Sequence, residues 1–224
     1  MKKSLVSLFL FWLSLAQVLA QSTAGDSLPT ARRYPLKAFI VPSVLAAGGT
    51  ALLSERIRDP FRSTEYVSRA DDYLRFGPYA IRLGLQAAGV KPAVSVGDEL
   101  VVTLLSNILM GGVTEGLKRS VGSTRPDGSD RKSFPSGHTS VAFTGAELLH
   151  QAYRHKSPWI SVGGYTFAAA TGLLRMANGR HHWSDVLAGA GIGIASVKAT
   201  YAVYPFLKRK FAPRKARRMR IKAS

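Results

Sequence analysis

Three polar clusters interrupt the apolar pattern of the chain between its long apolar runs: KRSVGSTRP at residues 118–126, FPSGHTS at 134–140 and RMANGRHHWSD at 175–185. Together they hold three fixed cations, Lys118, Arg125 and Arg175, with His138, the adjacent pair His181 and His182, and Asp185. Cations gathered on one face repel each other unless an anion lies between them, and the forked guanidinium of arginine matches phosphate oxygens. Phosphoryl transfer through a covalent intermediate needs a nucleophile, an acid for the leaving group, and positive charge on the transferring oxygens. Histidine serves either of the first two roles near neutral pH. Ser136 and Gly137 add a hydroxyl and an approachable amide at a helix start, where anions are favoured. A nucleophilic imidazole needs its second nitrogen held by an acceptor. Asp185 lies four residues after His181 and three after His182, so helical spacing admits both, with a lean to His181.

For these clusters to meet, the apolar runs between them must form a bundle that returns all three to one end. Such runs cover residues 36–53, 73–91, 94–117, 138–153, 158–174 and 186–207. The best spanning candidates are 158–174 and 186–207, both rich in Gly and Ala, which lets helices approach closely in lipid. The second carries Lys198. GAGIGI at 189–194 lacks the spacing of a dinucleotide loop and follows no strand, so it reads as helix packing. The run 73–91 carries Arg75, Arg82 and Gln86, which argues that it lies in the interface or packs against the bundle.

The ends of the chain suggest its orientation. Residues 1–20 read as a signal peptide with cleavage after Ala20, or as a signal anchor, and 21–35 as a linker. The segment 208–224 has nine Lys or Arg and no acid. With the loop YRHKS at 153–157, it marks a cytoplasmic side, which puts the loop 118–137 and the turn before Asp185 on the outer face. The net charge of +18 comes with no nucleic-acid recognition pattern, so no nucleic-acid partner is expected. The absence of cysteine excludes disulfides and thiolate chemistry.

Taken in order, Lys118-x6-Arg125-Pro126, Pro135-Ser136-Gly137-His138 and Arg175-x5-His181-x3-Asp185 resemble the three-part signature of the type 2 phosphatidic acid phosphatase superfamily, which includes acid phosphatases and vanadium haloperoxidases. The resemblance covers residues 118–185 and implies an all-α, membrane-embedded bundle of about six helices over 36–207, with its core at 94–207. It implies His181 as nucleophile, Asp185 as its orienting carboxylate and His138 as general acid. It further implies Lys118, Arg125, Ser136, Gly137 and Arg175 as the phosphate-binding set, with no metal and no cofactor. Two departures stand out: Leu174 where many members have Ser, and the basic Arg180 beside His181.

The wording of RPDGSDRKSFPSGHTS and RHHWSDVLAGAGIG is most similar to lipid A 4′-phosphatases of the Bacteroidetes type. The expectation is therefore a lipid phosphatase of the bacterial inner membrane, active at its periplasmic face, with lipid A as partner and substrate. Phosphatidylglycerophosphate, phosphatidate and undecaprenyl pyrophosphate are alternative substrates. A soluble periplasmic acid phosphatase and a non-catalytic lipid-binding protein are alternative readings. Against the last, His138, His181 and Asp185 are all present.

Overall fold

The structure, a computed structural model, describes residues 35–54 and 68–210. The signal segment 1–20, nearly all of the linker and most of the basic tail lie outside the described residues. Seven α-helices occur among them: α1 Ile40–Ala51, α2 Ala70–Leu74, α3 Gly77–Ala87, α4 Val96–Val121, α5 Gly137–Tyr153, α6 Pro158–Ala177 and α7 Trp183–Lys210. The all-α expectation holds. The expected count of about six rises because a short further helix, α2, straddles the end of the charged connection 54–72 and the start of the run 73–91, whose remainder forms α3. Pro78, in the first turn of α3, lacks the N–H that a continuous helix would use.

Local chemistry sets the helix ends. Ser95, Ser136 and Ser157 each accept a backbone N–H at the start of α4, α5 and α6. α4 runs past the expected limit at 117 and stops at Gly122, whose φ of 61° suits a residue without Cβ. Lys118 therefore sits in the last helical turn and not in the loop.

α7 is the central helix, packed against α1, α4 and α5. Its glycines are the reason it fits. A Cβ at Gly193 would lie 2.6 Å from the Ser140 carbonyl of α5, and one at Gly189 would lie 2.7 Å from the Ser136 carbonyl. On another side, a Cβ at Gly191 would lie 2.6 Å from the Pro42 carbonyl of α1. The GAGIGI segment is thus a packing device on two faces, as its spacing suggested.

Several charged residues within the apolar runs point inward and are paired. Arg82 of α3 donates to Thr103 Oγ1 at 2.6 Å and pairs with Glu99 of α4 at 3.2 Å. This explains how 73–91 tolerates charge: α3 packs against α5 and α6 while its arginine reaches α4. Lys198 of α7 pairs with the buried Glu147 of α5 at 3.1 Å, and Gln151 and Tyr165 also bond Glu147.

α4 and α7 are each long and apolar enough to cross a membrane. The run in α6, expected among the best spanning candidates, is interrupted by Ser161, Tyr165, Thr166 and Thr171; α4 meets the description in its place. Val96, Leu100, Leu104 and Ile108 form an exposed apolar stripe along α4 at four-residue spacing.

The two ends of the bundle differ. At one end the loop between α4 and α5 meets the turn between α6 and α7: Ser136 N donates to Asp185 O at 2.9 Å, and Asp127 N to Gly179 O at 3.1 Å. At the other end Lys208, near the end of α7, bonds Asp98 in the first turn of α4 at 2.6 Å. All three polar clusters therefore converge at the first end.

Candidate active site

His181 lies in the turn just before α7 and is 1% exposed. Its Nδ1 is 3.4 Å from Asp185 Oδ2, and its Nε2 is 3.3 Å from Arg125 Nη1. A guanidinium nitrogen only donates, so Nε2 is the accepting nitrogen and the ring hydrogen belongs on Nδ1, beside Asp185. The 3.4 Å contact is long for a hydrogen bond. Such contacts tighten when the imidazole acquires charge. Burial pushes the His181 imidazole down to about 4, against the opposing pull of Asp185. The ring is therefore neutral near neutral pH, with its lone pair facing a cation.

Asp185 is fully buried, in the first turn of α7. Its Oδ2 accepts from the Ser133 hydroxyl and from the backbone N–H of His182 at 2.8 Å. The neighbouring histidines are thus unequal. His181 offers its ring to the site, and His182 offers its backbone to the carboxylate that orients that ring.

The cations surround the same end. Arg175, in the last turn of α6, pairs through Nη1 with Asp71 Oδ2 at 2.6 Å. Its carbonyl accepts the N–H of Arg180 at 3.0 Å and of His181 at 3.3 Å, which ties the turn that carries His181 to the end of α6. Its buried Nε has no partner among the described residues, and a buried donor of this kind calls for an acceptor. Arg125 donates from Nε to Asp130 at 2.8 Å and from Nη1 to the Arg180 carbonyl at 3.1 Å. Lys118 Nζ donates to the Lys132 carbonyl at 2.7 Å, and its Cε passes 3.9 Å from where a Gly137 Cβ would stand. Ser136 is buried and its hydroxyl accepts from Thr139 N and Thr139 Oγ1, so it caps α5.

His138 stands in the first turn of α5. Its Nε2 is 2.8 Å from Asp72 Oδ1 and 3.0 Å from Arg75 Nη1. No motif pointed to Asp71, Asp72 or Arg75; in the sequence, residues 54–72 are only a charged connection. The sole local signal was two adjacent acids in a strongly basic chain. Asn178 holds this segment in place: its Nδ2 donates to the Ser68 carbonyl at 2.8 Å and to Asp71 Oδ1 at 3.3 Å.

Asp71, Asp72 and His138 bring metal-ligating atoms within reach of one another. Asp71 is already neutralised by Arg175 and Asp72 faces His138, with Arg75 beside both. The group acts as charge pairing within a cationic site. The assembled end of the bundle offers a neutral accepting imidazole, fixed cations, an unpartnered buried donor, and a second imidazole between an acid and an arginine.

Comparison with known proteins supports the superfamily that the motifs resemble, but not the 4′-position that their wording suggested. The profile of the PAP2 superfamily matches residues 99–209. A lipid A 1-phosphatase from Porphyromonas gingivalis is 40% identical over 151 residues, which cover 64% of this chain and 34% of that protein. Lipid phosphate phosphatase 2 of Arabidopsis thaliana is 27% identical over 150 residues, covering 49% of this chain and 51% of that protein. The chain thus spans well under two thirds of either relative. A solved structure, LpxE of Aquifex aeolicus, aligns with a TM-score of 0.46 at 20% identity, covering 74% of this chain and 93% of that one.

Proposed function

We propose, from the match of residues 99–209 to the PAP2 superfamily, that the protein is a membrane phosphatase that hydrolyses a lipid phosphomonoester through a phosphohistidine intermediate. The observation that carries this reading is His181: a buried, neutral imidazole whose Nε2 faces Arg125 while Nδ1 faces Asp185. A nucleophile of this kind needs a free lone pair toward the phosphorus and an anion behind it to meet the charge that develops on attack. Arg175 Nε, buried without a partner, suits a phosphate oxygen, and Arg125 and Lys118 supply further charge.

Nε2 of His181 attacks phosphorus, and the ester oxygen departs with a proton from His138. Water then displaces the imidazole, with His138 as base. The positive charge of the clamp is matched to the transferring oxygens in both steps.

The membrane reading is supported by α4 and α7 and by the exposed stripe on α4, which a soluble protein would rarely leave bare. This stripe also weighs against the soluble acid phosphatase. Arg154, Lys156 and Lys208 lie at the end opposite the site, consistent with a cytoplasmic face there and a periplasmic site.

For the substrate, the Porphyromonas gingivalis relative favours a phosphate of lipid A. The motif wording suggested the 4′-phosphate, whereas that relative is named for the 1-phosphate. We take the 1-phosphate as the leading position. Mass spectrometry of lipid A from cells with the intact gene, the deleted gene or His181→Ala tests it. Retention of the 1-phosphate only in the two deficient strains is expected. A change confined to the 4′-phosphate would reverse the position, and unchanged lipid A would remove it as substrate.

A further inference from the structure

Asp72 stands where the phosphatase reading needs a substrate oxygen. In that reading His138 gives a proton to the departing ester oxygen, which must come within hydrogen-bond reach of a ring nitrogen. Nε2 is already engaged: Asp72 Oδ1 lies 2.8 Å from it and Arg75 Nη1 3.0 Å from it. An imidazole nitrogen offers one hydrogen or one lone pair in the ring plane, so it serves one partner at a time. We propose, on the phosphatase reading, that the Asp72 carboxylate occupies the seat of the departing oxygen, and that substrate binding turns this side chain out of the site. With Asp72 gone, the P–O ester bond breaks and the Nε2 hydrogen passes to the oxygen in that seat.

The carboxylate is a fit stand-in for a phosphoryl group. It brings paired oxygens and negative charge to a place where the charges of His138, Arg175 and Arg75 all act on it. An incoming phosphate replaces one anion with another, so a protonated His138 keeps a counter-charge after Asp72 leaves. Arg75 gains a partner in the exchange. While Nε2 carries its hydrogen it cannot accept from the guanidinium, whereas phosphate oxygens accept from both groups. Arg75 is held for this contact: its Nε donates to the Asp72 carbonyl at 3.0 Å, and its guanidinium lies 4.7 Å from the Phe76 ring centre.

The two adjacent acids are placed for different work. The Asp71 side chain is 3% exposed and lies in the 2.6 Å pair with Arg175. Asn178 donates to Asp71 Oδ1 at 3.3 Å and to the Ser68 carbonyl at 2.8 Å, and Gly77, just beyond α2, lies against the Phe167 ring of α6. These contacts anchor the backbone of α2 on α6. The Asp72 side chain is 48% exposed, and a change of rotamer carries its carboxylate into water without moving the helix. Asp71 is thus the anchor and Asp72 the removable occupant. An internal occupant weakens the apparent affinity for phosphate in proportion to the fraction of molecules whose seat is free.

The test uses the full chain in detergent micelles, with inorganic phosphate titrated by calorimetry and p-nitrophenyl phosphate as a separate probe of turnover. Asp72→Ala is expected to bind phosphate about tenfold more tightly than the wild type, as for a seat free in roughly one wild-type molecule in ten. Asp72→Ser should behave alike, which guards against a folding defect in one variant. Asp127→Ala removes an equal charge beside Arg180, next to His181, and should tighten binding far less. A crystal structure of the wild type with phosphate should place a phosphate oxygen within hydrogen-bond reach of His138 Nε2, with the Asp72 carboxylate turned away. Three results would overturn the inference: equal phosphate affinity in the wild type and both Asp72 variants, equal gains in Asp72→Ala and Asp127→Ala, or phosphate bound with Asp72 still on Nε2. Turnover of p-nitrophenyl phosphate by the wild type would leave the phosphatase reading standing in each case. A wild type that binds phosphate but is inert toward that probe would overturn the phosphatase reading, and with it the assignment of the seat to a departing oxygen.

Discussion

Asp71 Oδ2 lies 2.6 Å from Arg175 Nη1, an ion pair closed across 104 positions of the chain. It joins the segment at α2 to the last turn of α6, and so fixes the arginine proposed for the phosphate clamp. Both side chains are largely buried, so removing one partner leaves a charge without compensation, at a cost of about 3–5 kcal/mol. Asp71→Ala is therefore expected to lower the unfolding temperature in detergent and to raise KM for the phosphate probe. An unchanged melt would mean that water already solvates Arg175.

The two adjacent histidines should respond differently. His181→Ala removes the attacking nitrogen and is expected to lower turnover by at least roughly 10³-fold. His182→Ala keeps the backbone N–H that Asp185 accepts, and most activity should survive. Initial rates of the two purified variants decide this. Equal losses would mean that the His182 ring also belongs to the machinery.

The pH response of His181 follows from burial. Its imidazole is pushed down to about 4. The native state therefore holds fewer protons than the unfolded state between that value and the ordinary histidine value near 6.5. Stability from this group is complete above 6.5 and is lost as pH falls through the window to about 4, while the reactive neutral form persists across it. Imidazole nitrogen chemical shifts should place the His181 midpoint near 4. A midpoint at the ordinary value would show a solvated ring.

Glycine substitutions separate packing from lipid exposure. Gly193→Ala forces a methyl into the Ser140 carbonyl, and about 1–3 kcal/mol of stability should be lost. Gly112→Ala on α4 meets nothing within 4 Å and should be neutral or slightly stabilising. Thermal unfolding of the pair in one detergent checks both. Similar melts would place Gly193 outside the contact between α7 and α5.

The part of the site written in consecutive residues was legible from sequence. Lys118, Arg125, His138, Arg175, His181 and Asp185 occur at short fixed intervals, and a bundle that returns its loops to one end brings them together. The glycines of α7 were legible for the same reason, since one element carries the whole pattern. Asp71, Asp72 and Arg75 were not, because their significance lies in contacts across 63 to 104 positions that no local spacing encodes. Lys118 belongs to a helix and not to the loop expected for it, because only the positive φ of Gly122 marks the true helix end. The lipid and the phosphate position were equally hidden, since residue types suited to phosphate oxygens carry no signal for the group that bears the phosphate.

The phosphohistidine itself offers the most direct measurement. The full chain is mixed with the phosphate probe, quenched in alkali during turnover, digested and mapped by mass spectrometry. One phosphoryl group on His181 is expected in the wild type, with none in His181→Ala and a larger fraction trapped in His138→Ala with p-nitrophenyl phosphate, where the second step lacks its base. A phosphoryl group on His182 or on no histidine during steady turnover, or full activity in His181→Ala, would contradict His181 as the nucleophile.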